Sequence, residues 1–425
     1  MPQPWKTYKV SDFIDINPKM KLFKGQEYSF VEMKDLDSNN RAVLPSVKKE
    51  LKGGSKFQNG DTLFARITPC LENGKICQVK GLDNNIGFGS TEFLVFRGKN
   101  QVSDTDFVYY LSREPYFRQF AESNMIGTSG RQRVAKEAFQ NLELELPPLP
   151  EQKAIANILS AIDAKIENNL AINKTLEEMA MALYKEWFVD FGPFQDGKFI
   201  ESELSMIPEG WEVKKLGDFV THQKGFAFKS KWYKSEGELV VRVSDTTHNS
   251  INIDSCHKIS NELAEKYKGY SLNTDDVIIA TVGSWPPNYS SVVGKVIRVP
   301  KTAEGGLLNQ NAVRLKMSID NKQYQALLYC ILKNDRFLNY IINSAQGSAS
   351  QASIKLVDIF NYPIIITNSE TFNTFSTLVE SFIAKQNLNT VQNQTLTQLR
   401  DTLLPKLISG EVRLKDFDLE EVLED

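Results

Sequence analysis

Residues 151–191 read EQKAIANILSAIDAKIENNLAINKTLEEMAMALYKEWFVDF, a stretch without proline or glycine that follows a proline-rich segment at 147–150. Its apolar residues advance by alternating steps of four and three, which is the spacing of a coiled-coil seam. Asn169 and Asn173 interrupt that seam at its centre. The stretch predicts a long helix that packs against another helix along one narrow apolar face.

The same seam recurs 220 residues later. Residues 371–410 carry apolar side chains at matching positions, with Asn389 and Asn393 in place of the first two asparagines. A buried amide costs stability unless it finds a polar partner, so paired Asn layers usually fix helix register. An antiparallel pairing would set Asn169 opposite Asn393 and Asn173 opposite Asn389. We expect this pairing; the alternative is two separate helices, each lying on its own domain.

The rest of the chain is duplicated as well. Gly127-Thr128-Ser129-Gly130-Arg131-Gln132-Arg133 is matched by residues 347–353 at an offset of 220. Residues 61–65 match 276–280 at an offset of 215, and Trp5 matches Trp211 at 206. Short β-rich runs bounded by turn residues fill both copies. We predict an α+β fold with two tandem-duplicated domains separated by two long antiparallel coiled-coil-like helices.

The duplication and its proline-rich boundaries predict five segments. They are domain 1 at 1–150, spacer helix 1 at 151–191, domain 2 at 192–370, spacer helix 2 at 371–410 and an acidic C-terminal tail at 411–425. Within the domains we expect one short helix at 105–122 and its counterpart at 322–343. Ser369 is the predicted N-cap of the second long helix.

Composition excludes several classes of protein. The 425 residues are 41% hydrophobic and 24% charged, with a net charge of -3. No window approaches the ~18 uninterrupted apolar residues of a membrane span, and the first residues lack the apolar core of a signal peptide. We therefore expect a cytoplasmic protein without membrane contact. Residues 1–150 hold 21 Lys+Arg against 18 Asp+Glu, whereas 151–190 hold 4 against 7, a pattern compatible with domains that bind a polyanion.

Sequence motifs that would indicate catalysis or cofactor binding are weak or absent. No GxxxxGK[ST], GxGxxG after a strand or GxSxG motif is present. Trp285-Pro286-Pro287-Asn288-Tyr289 has the letters of a DNA amino-methyltransferase motif in the wrong order, and we interpret it as a rigid loop tip. Asp275 and Asp276 are interpreted as a solvated turn. The four cysteines form no CxxC pair, and Cys256-His257 supplies two zinc ligands at most. We expect no catalytic residue, no metal and no cofactor.

Three stretches resemble the specificity subunit of type I restriction-modification systems: LPPLPEQK at 146–153, EWFVDF at 186–191 and LLPKLISGE at 403–411. The resemblance covers nearly the whole chain, although ITNSE at 366–370 replaces PPLPE before the second helix. It implies two inverted target-recognition domains, each reading one half of a bipartite site in double-stranded DNA. It also implies partners that supply the chemistry: two methyltransferase subunits and ATP-dependent restriction/translocase subunits.

Loops rich in cations, hydroxyls and amides are candidate DNA contacts, because such groups bind phosphates and base edges. In domain 1 the candidates are Arg66, Lys75, Thr128, Ser129, Arg131 and Arg133. In domain 2 they are Lys224, Lys229, Lys231, Arg242, Ser348, Ser350 and Gln351. Aromatic candidates for packing on sugar or thymine methyl groups are Phe226, Phe228, Trp232, Trp285 and Tyr289. An ordinary surface or structural role is the alternative for each.

The sequence thus predicts a non-enzymatic, sequence-specific DNA-binding subunit whose helices set the spacing of the half-sites and dock the methyltransferases. Two alternatives stay open: a self-sufficient DNA methyltransferase or nuclease, and a coiled-coil adaptor that binds only protein. Apolar side chains expected on the outward helix faces, where a partner would dock, are Ile158, Leu170, Met179, Tyr184, Leu388 and Leu399.

Overall fold

The computed structural model of the protein describes residues 4–128, 130–247, 250–289, 291–319 and 322–414. The chain forms two compact units. Unit 1 comprises residues 1–168 and 393–425, and unit 2 comprises residues 169–392. The division passes through both long helices, so each unit contains one domain together with part of each helix.

The first copy consists of short strands, three short helices and one long helix. The strands are β1 (Lys6–Lys9), β2 (Ile14–Ile16), β3 (Glu27–Val31), β4 (Ala42–Val43), β5 (Val47–Glu50), β6 (Ser55–Gln58), β7 (Thr62–Ala65), β8 (Ile76–Val79), β9 (Ile86–Gly89), β10 (Phe93–Gly98), β11 (Met125–Ile126), β12 (Arg133–Val134) and β13 (Glu143–Leu146). The helices are α1 (Val10–Phe13), α2 (Thr105–Arg113), α3 (Pro115–Ser123) and α4 (Leu149–Phe188).

The second copy has the same kinds of element in a similar order. Its strands are β14 (Phe199–Glu201), β15 (Met206–Pro208), β16 (Glu212–Lys215), β17 (Val220–Lys224), β18 (Glu238–Val241), β19 (His257–Ile259), β20 (Val277–Ala280), β21 (Val282–Gly283), β22 (Val296–Arg298), β23 (Leu307–Leu308), β24 (Ala312–Ile319), β25 (Lys322–Gln323), β26 (Gln346–Ser348), β27 (Gln351–Ser353) and β28 (Pro363–Ile366). Its helices are α5 (Asn261–Lys266), α6 (Gln325–Lys333), α7 (Asp335–Ser344), α8 (Leu356–Phe360) and α9 (Ser369–Ser409).

Unit 1 is built on a five-stranded sheet in the order β2-β10-β7-β8-β4 and a four-stranded sheet in the order β5-β3-β9-β6. Strands β7 and β8 are buried along their whole length, which explains their nearly continuous apolar sequence. Strand β1 pairs antiparallel with β13, with Lys6 opposite Leu146. This pairing joins the start of the domain to the strand that leads into α4.

Unit 2 repeats these pairings. The order β17-β24-β20-β22 matches β2-β10-β7-β8, and the parallel pair β18–β23 matches β3–β9. Strand β16 pairs with β28, with Glu212 opposite Ile366. Glu212 lies 206 residues after Lys6 and Ile366 lies 220 residues after Leu146, so this pair is the repeat of Lys6 opposite Leu146 in unit 1. The tandem duplication predicted from the sequence is therefore confirmed in the fold.

The expectation of one short helix per domain is wrong, because each is divided into two. Glu114 separates α2 from α3, and its carboxylate accepts a hydrogen bond from the Phe117 amide while Pro115 occupies the first turn. Asn334 separates α6 from α7 and accepts from the Arg336 amide at 2.9 Å. A side chain that caps a new helix favours a break at that residue.

The long helices begin and end near the predicted limits. The helix expected at 151–191 spans Leu149–Phe188, and the one expected at 371–410 spans Ser369–Ser409. Ser369 lies inside the second helix, so its assignment as the N-cap is wrong. The preceding residue, Asn368, accepts from the Thr371 amide at 2.9 Å and caps the helix instead.

Several residues of the predicted apolar seam are buried within each unit, beside residues outside the seam such as Leu404, Phe188 and Phe372. In unit 1 the buried side chains of Ile155 and Leu159 share a core with Leu404 and Leu407. In unit 2 Phe188 stacks on Phe372, with ring centroids 5.9 Å apart, and the same core includes Val379. Residue numbers rise along one helix as they fall along the other, so the helices run antiparallel. Of the predicted tail at 411–425, residues 415–425 lie outside the described residues.

No helix in the described ranges is long and apolar enough to cross a membrane.

Candidate nucleic-acid interface

A β-hairpin carries the repeated glycine motif in unit 1. Strands β11 and β12, which flank the glycine motif in the sequence, pair antiparallel, with Ile126 opposite Arg133. The Val134 amide donates to the Arg66 carbonyl at 2.9 Å, which attaches the hairpin to the end of β7. Gly127 has a φ of +138°, and a Cβ there would lie 3.0 Å from the Arg131 carbonyl oxygen. The turn therefore requires glycine at its first position.

Unit 2 holds its hairpin in the same way. The Ile354 amide donates to the Thr281 carbonyl at 3.0 Å, and these residues match Val134 and Arg66 at the two repeat offsets. Gly347 has a φ of +156°, and a Cβ there would lie 2.1 Å from the Gln351 carbonyl oxygen. The two hairpins thus share one backbone frame, while the side chains that they display differ.

The unit 1 hairpin displays cations. Thr128 and Arg131 are exposed, and Ser129 lies outside the described residues. Arg133 is only partly exposed and donates to both carboxylate oxygens of Glu92 at 2.7 to 3.0 Å. It also donates to the Arg131 carbonyl at 3.0 Å. Arg133 therefore stabilises the hairpin, and the adjacent Arg131 projects its charge into solvent.

The unit 2 hairpin displays neutral polar groups. Ser348, Ser350 and Gln351 are exposed, with the two serine hydroxyls 3.4 Å apart. The Trp285 indole donates to the Ser348 carbonyl at 2.8 Å, which joins the hairpin to the loop at 284–291. Tyr289, at 58% exposure, stands out from that loop. Hydroxyls and amides bind base edges and phosphates without adding charge.

The remaining candidate cations divide into engaged and exposed groups. Lys75 donates to the Met33 carbonyl at 2.9 Å. Arg242 forms a bidentate ion pair with Asp245, with distances of 2.6 and 2.9 Å. Arg66 is partly exposed beside the unit 1 hairpin. The exposed candidates are Lys224, Lys229 and Lys231, of which Lys229 lies 5.5 Å from the centroid of the Trp232 ring.

Several aromatic candidates belong to a core. Phe228 is only 7% exposed, so the prediction that its ring could pack on DNA is wrong. Phe226 contacts Tyr267 with ring centroids 4.5 Å apart, and Trp232 packs against the same cluster. These rings stabilise one edge of unit 2, because aromatic clusters bury large apolar areas.

The interpretation of Asp276 as part of a solvated turn is also wrong. Its side chain is 4% exposed and lies 3.4 Å from Arg314 and 3.5 Å from Lys316. The equivalent residue of unit 1, Asp61, is paired with Arg97 at 2.6 Å. Each carboxylate therefore joins the start of a central strand to its neighbour.

The long helices contain polar layers. The predicted contact between Asn173 and Asn389 is confirmed, and the contact between Asn169 and Asn393 stays a prediction. Asn389 donates to the Asn173 side chain at 2.8 Å, and Asn169 donates to Gln392 at 2.8 Å. In unit 1 a buried ion pair joins Asp163 to Arg400 at 2.9 Å. The only sequence signal for this pair was an arginine at an otherwise apolar seam position.

Within the described residues, no group of three His, Cys, Asp or Glu side chains is placed to hold a metal ion. Burial raises the pKa of the Cys256 thiol to about 12, and the neighbouring His257 stacks on Tyr233 with centroids 4.2 Å apart.

Most apolar residues expected on the outward helix faces are exposed. Leu388 is 67% exposed, and Leu170, Met179 and Leu399 are each 46% exposed. Ile158 is half-buried. Tyr184 is an exception: it packs in the unit 2 core against Phe188 and Phe375, so its expected outward position is wrong.

The protein is a tandem duplication of one α+β domain, combined with two long antiparallel helices. Each copy carries a glycine-containing hairpin with the same backbone attachment. The family described as "Type I restriction modification DNA specificity domain" matches residues 2–178 and 208–398. The chain therefore belongs to the type I restriction-modification specificity family, as the resemblance predicted.

Two specificity subunits match this chain along nearly their whole length. The type I restriction enzyme MjaIX specificity subunit of Methanocaldococcus jannaschii is 29% identical, covering 98% of this chain and 95% of the relative. The HindI specificity subunit of Haemophilus influenzae is 26% identical, covering 96% and 99%. The crystal structure of the type I S subunit from M. genitalium has a similar fold, with a TM-score of 0.51, 16% identity and coverage of 95% and 96%.

Proposed function

We propose that this chain is the DNA-reading subunit of a type I restriction-modification complex, with each recognition domain reading one half of a bipartite site. The observation that carries the proposal is the pair of hairpins, which share one backbone frame and display different side chains. Gly127 and Gly347 open the two turns. Two arginines follow in the first turn, and no charged residue follows in the second. A duplicated reader needs a constant frame and variable contacts to recognise two different sequences.

The catalytic steps belong to partner subunits in this proposal. Two methyltransferase subunits would dock on the long helices, and ATP-dependent restriction/translocase subunits would complete the enzyme in the cytoplasm. Support for two equivalent docking places comes from Met179 and Leu399, which are 220 residues apart and equally exposed. Exposed apolar side chains at repeated positions suit two copies of the same partner.

The proposal is tested by co-expressing the chain with the methyltransferase subunits of its system and mapping methylated bases in the host genome. We expect one bipartite motif with a fixed gap. Exchanging residues 127–133 for those of another specificity subunit should change one half of the motif only. A control variant, Lys174→Ala on an exposed helix position, should leave the motif unchanged.

Two results would favour the other candidate functions. Methyl transfer by the isolated chain in the presence of S-adenosylmethionine would identify an enzyme. Failure of the chain to shift DNA, with the methyltransferase subunits bound to it, would identify a protein adaptor.

A further inference from the structure

Two of the asparagine contacts between the long helices obey the internal repeat. Asn173 donates through Nδ2 to the Gln386 carbonyl at 3.4 Å in unit 2. Asn393 donates through Nδ2 to the Ile166 carbonyl, also at 3.4 Å, in unit 1. Asn393 and Ile166 stand 220 positions from Asn173 and Gln386. Exchanging the helices reproduces these two contacts, so the backbone contacts of Asn173 and Asn393 do not distinguish one helix from the other.

The buried ion pair breaks this symmetry. Asp163 and Arg400 are 2.9 Å apart, and their side chains are only 4% and 7% exposed. In the internal repeat, Ile383 is the equivalent of Asp163 and Ala180 is the equivalent of Arg400. Both equivalents are buried in the apolar core of unit 2. A charged pair in one unit therefore corresponds to an apolar pair in the other.

This asymmetry matters when two copies of the chain meet. If α4 paired with α4 of a second copy in the same antiparallel register, each Asp163 would face Ala180. If α9 paired with α9, each Arg400 would face Ile383. Asp163 would keep its hydrogen bond from Tyr110 at 2.6 Å, and Arg400 its contact with Asp401 at 2.9 Å. The contact between Asp163 and Arg400 would nevertheless be lost in both pairings, and breaking a buried ion pair is strongly destabilising.

We propose that the Asp163–Arg400 ion pair makes each long helix select the other helix and excludes like-with-like pairing between copies of this chain. The excluded partner is the same helix of a second copy. Such exclusion is useful during synthesis, because α4 is complete before α9 exists and neighbouring nascent chains expose the same segment. A repulsive element of this kind is how related helices are usually kept from wrong partners.

The test begins from the full-length, folded protein. A protease site is inserted at the exposed turn between Glu203 and Leu204, which joins β14 to β15, and the chain is cut there after folding. The cut protein is unfolded in urea and refolded so that its two fragments can pair anew. Native mass spectrometry then counts unlike and like fragment pairs.

We expect unlike pairs to predominate for the wild-type protein, with like pairs forming a small fraction. The variant Asp163→Ile with Arg400→Ala copies the apolar pair of unit 2, and we expect its like pairs to increase at least about tenfold. The reversed variant, Asp163→Arg with Arg400→Asp, restores an asymmetric charge pair and should return to unlike pairs. Like pairs that are equally frequent in the wild-type and apolar proteins would overturn the proposal.

A second measurement uses uncut chains and covers the case in which the fragments do not refold. The intact wild-type, apolar and reversed proteins are refolded at one high concentration, and the dimeric fraction is measured by sedimentation. The proposal requires more dimer from the apolar variant than from the other two. An equal dimeric fraction in all three proteins would refute it.

Discussion

Arg133 donates to both carboxylate oxygens of Glu92, at distances of 2.7 to 3.0 Å, and so joins the unit 1 hairpin to the residue before strand β10. Arg131 lies two positions earlier and is exposed, and no described carboxylate lies within ion-pair distance of it. One arginine of the repeated motif therefore stabilises the hairpin, and the other is exposed to solvent.

Replacing Arg131 by alanine is expected to weaken DNA binding of the complex with its methyltransferase subunits, because a phosphate contact is lost. The slope of log affinity against log salt should decrease by about 1. The melting temperature should not change, whereas Arg133→Ala should lower it. Binding titrations at several salt concentrations and calorimetry check both outcomes. Equal effects of the two variants on stability would contradict these separate roles.

The Asn173–Asn389 contact should behave as a coupled pair. Asn173→Leu leaves the buried Asn389 amide without this acceptor and is expected to lower the free energy of unfolding by about 1–3 kcal/mol. Adding Asn389→Leu should recover part of that loss, because both polar groups are then gone. Urea unfolding of the double-mutant cycle measures the coupling. Asn157→Leu, at an exposed position of the same helix, is the control, and strict additivity would refute the pairing.

The long helices are expected to set the gap between the half-sites. Inserting one heptad next to Asn173 and one next to Asn389 preserves the seam and lengthens each helix by roughly 10 Å. The preferred gap should widen by about three base pairs at ~3.4 Å each, with the bases of both half-sites unchanged. Methylation mapping reads the gap directly. An unchanged gap, or altered bases, would show that the helices do not separate the recognition domains.

The isolated chain is expected to bind DNA weakly and to associate. Its net charge of -3 provides little attraction for phosphate, and Leu388 and Met179 leave apolar surface on the helices. Methyltransferase subunits should cover that surface and complete the DNA-binding site. Light scattering and binding titrations with and without the partner check this. A monodisperse chain with nanomolar affinity in physiological salt would contradict it.

Lys295 should make stability depend on pH in the alkaline range. Burial, with a further contribution from the Lys333 charge, lowers the pKa of Lys295 from 10.5 to about 8. Between these values the unfolded chain binds this proton more strongly than the folded protein. The contribution of Lys295 to the free energy of unfolding therefore rises with pH across that interval. We expect Lys295→Met to be most stabilising, relative to wild type, below pH 8.

The measurement compares wild type with the variant, so titrating groups that do not interact with Lys295 cancel. Denaturation of both proteins at several pH values should show the advantage of the variant shrinking as the pH approaches 10.5. Lys268→Met is the matched control, because Lys268 is exposed and its pKa is raised by Glu265. A constant difference across this range would mean that Lys295 titrates normally in the folded protein.

Much of the architecture was predictable because it follows from the spacing of residues along the sequence. The steps of four and three from Ile155 onward identify α4, and the constant offset of 220 identifies α9 and the second hairpin. Helix periodicity and duplication are properties of the sequence itself, so no knowledge of distant contacts is needed. The division of the short helices at Glu114 and Asn334 was missed because a single capping hydrogen bond decides it.

The partners of the charged residues were decided only by the tertiary structure. Arg131 and Arg133 look alike in the sequence, yet only Arg133 lies against Glu92, which is 41 residues away. Asp163 and Arg400 are separated by 237 residues, and neither position indicates the other. Charge pairing depends on distance in space and on burial, which arise after strands and helices have packed. The sequence by itself therefore determined the repeat, the long helices and the family. Tertiary packing decided which side chains stabilise the hairpins and the helix pair and which stay exposed.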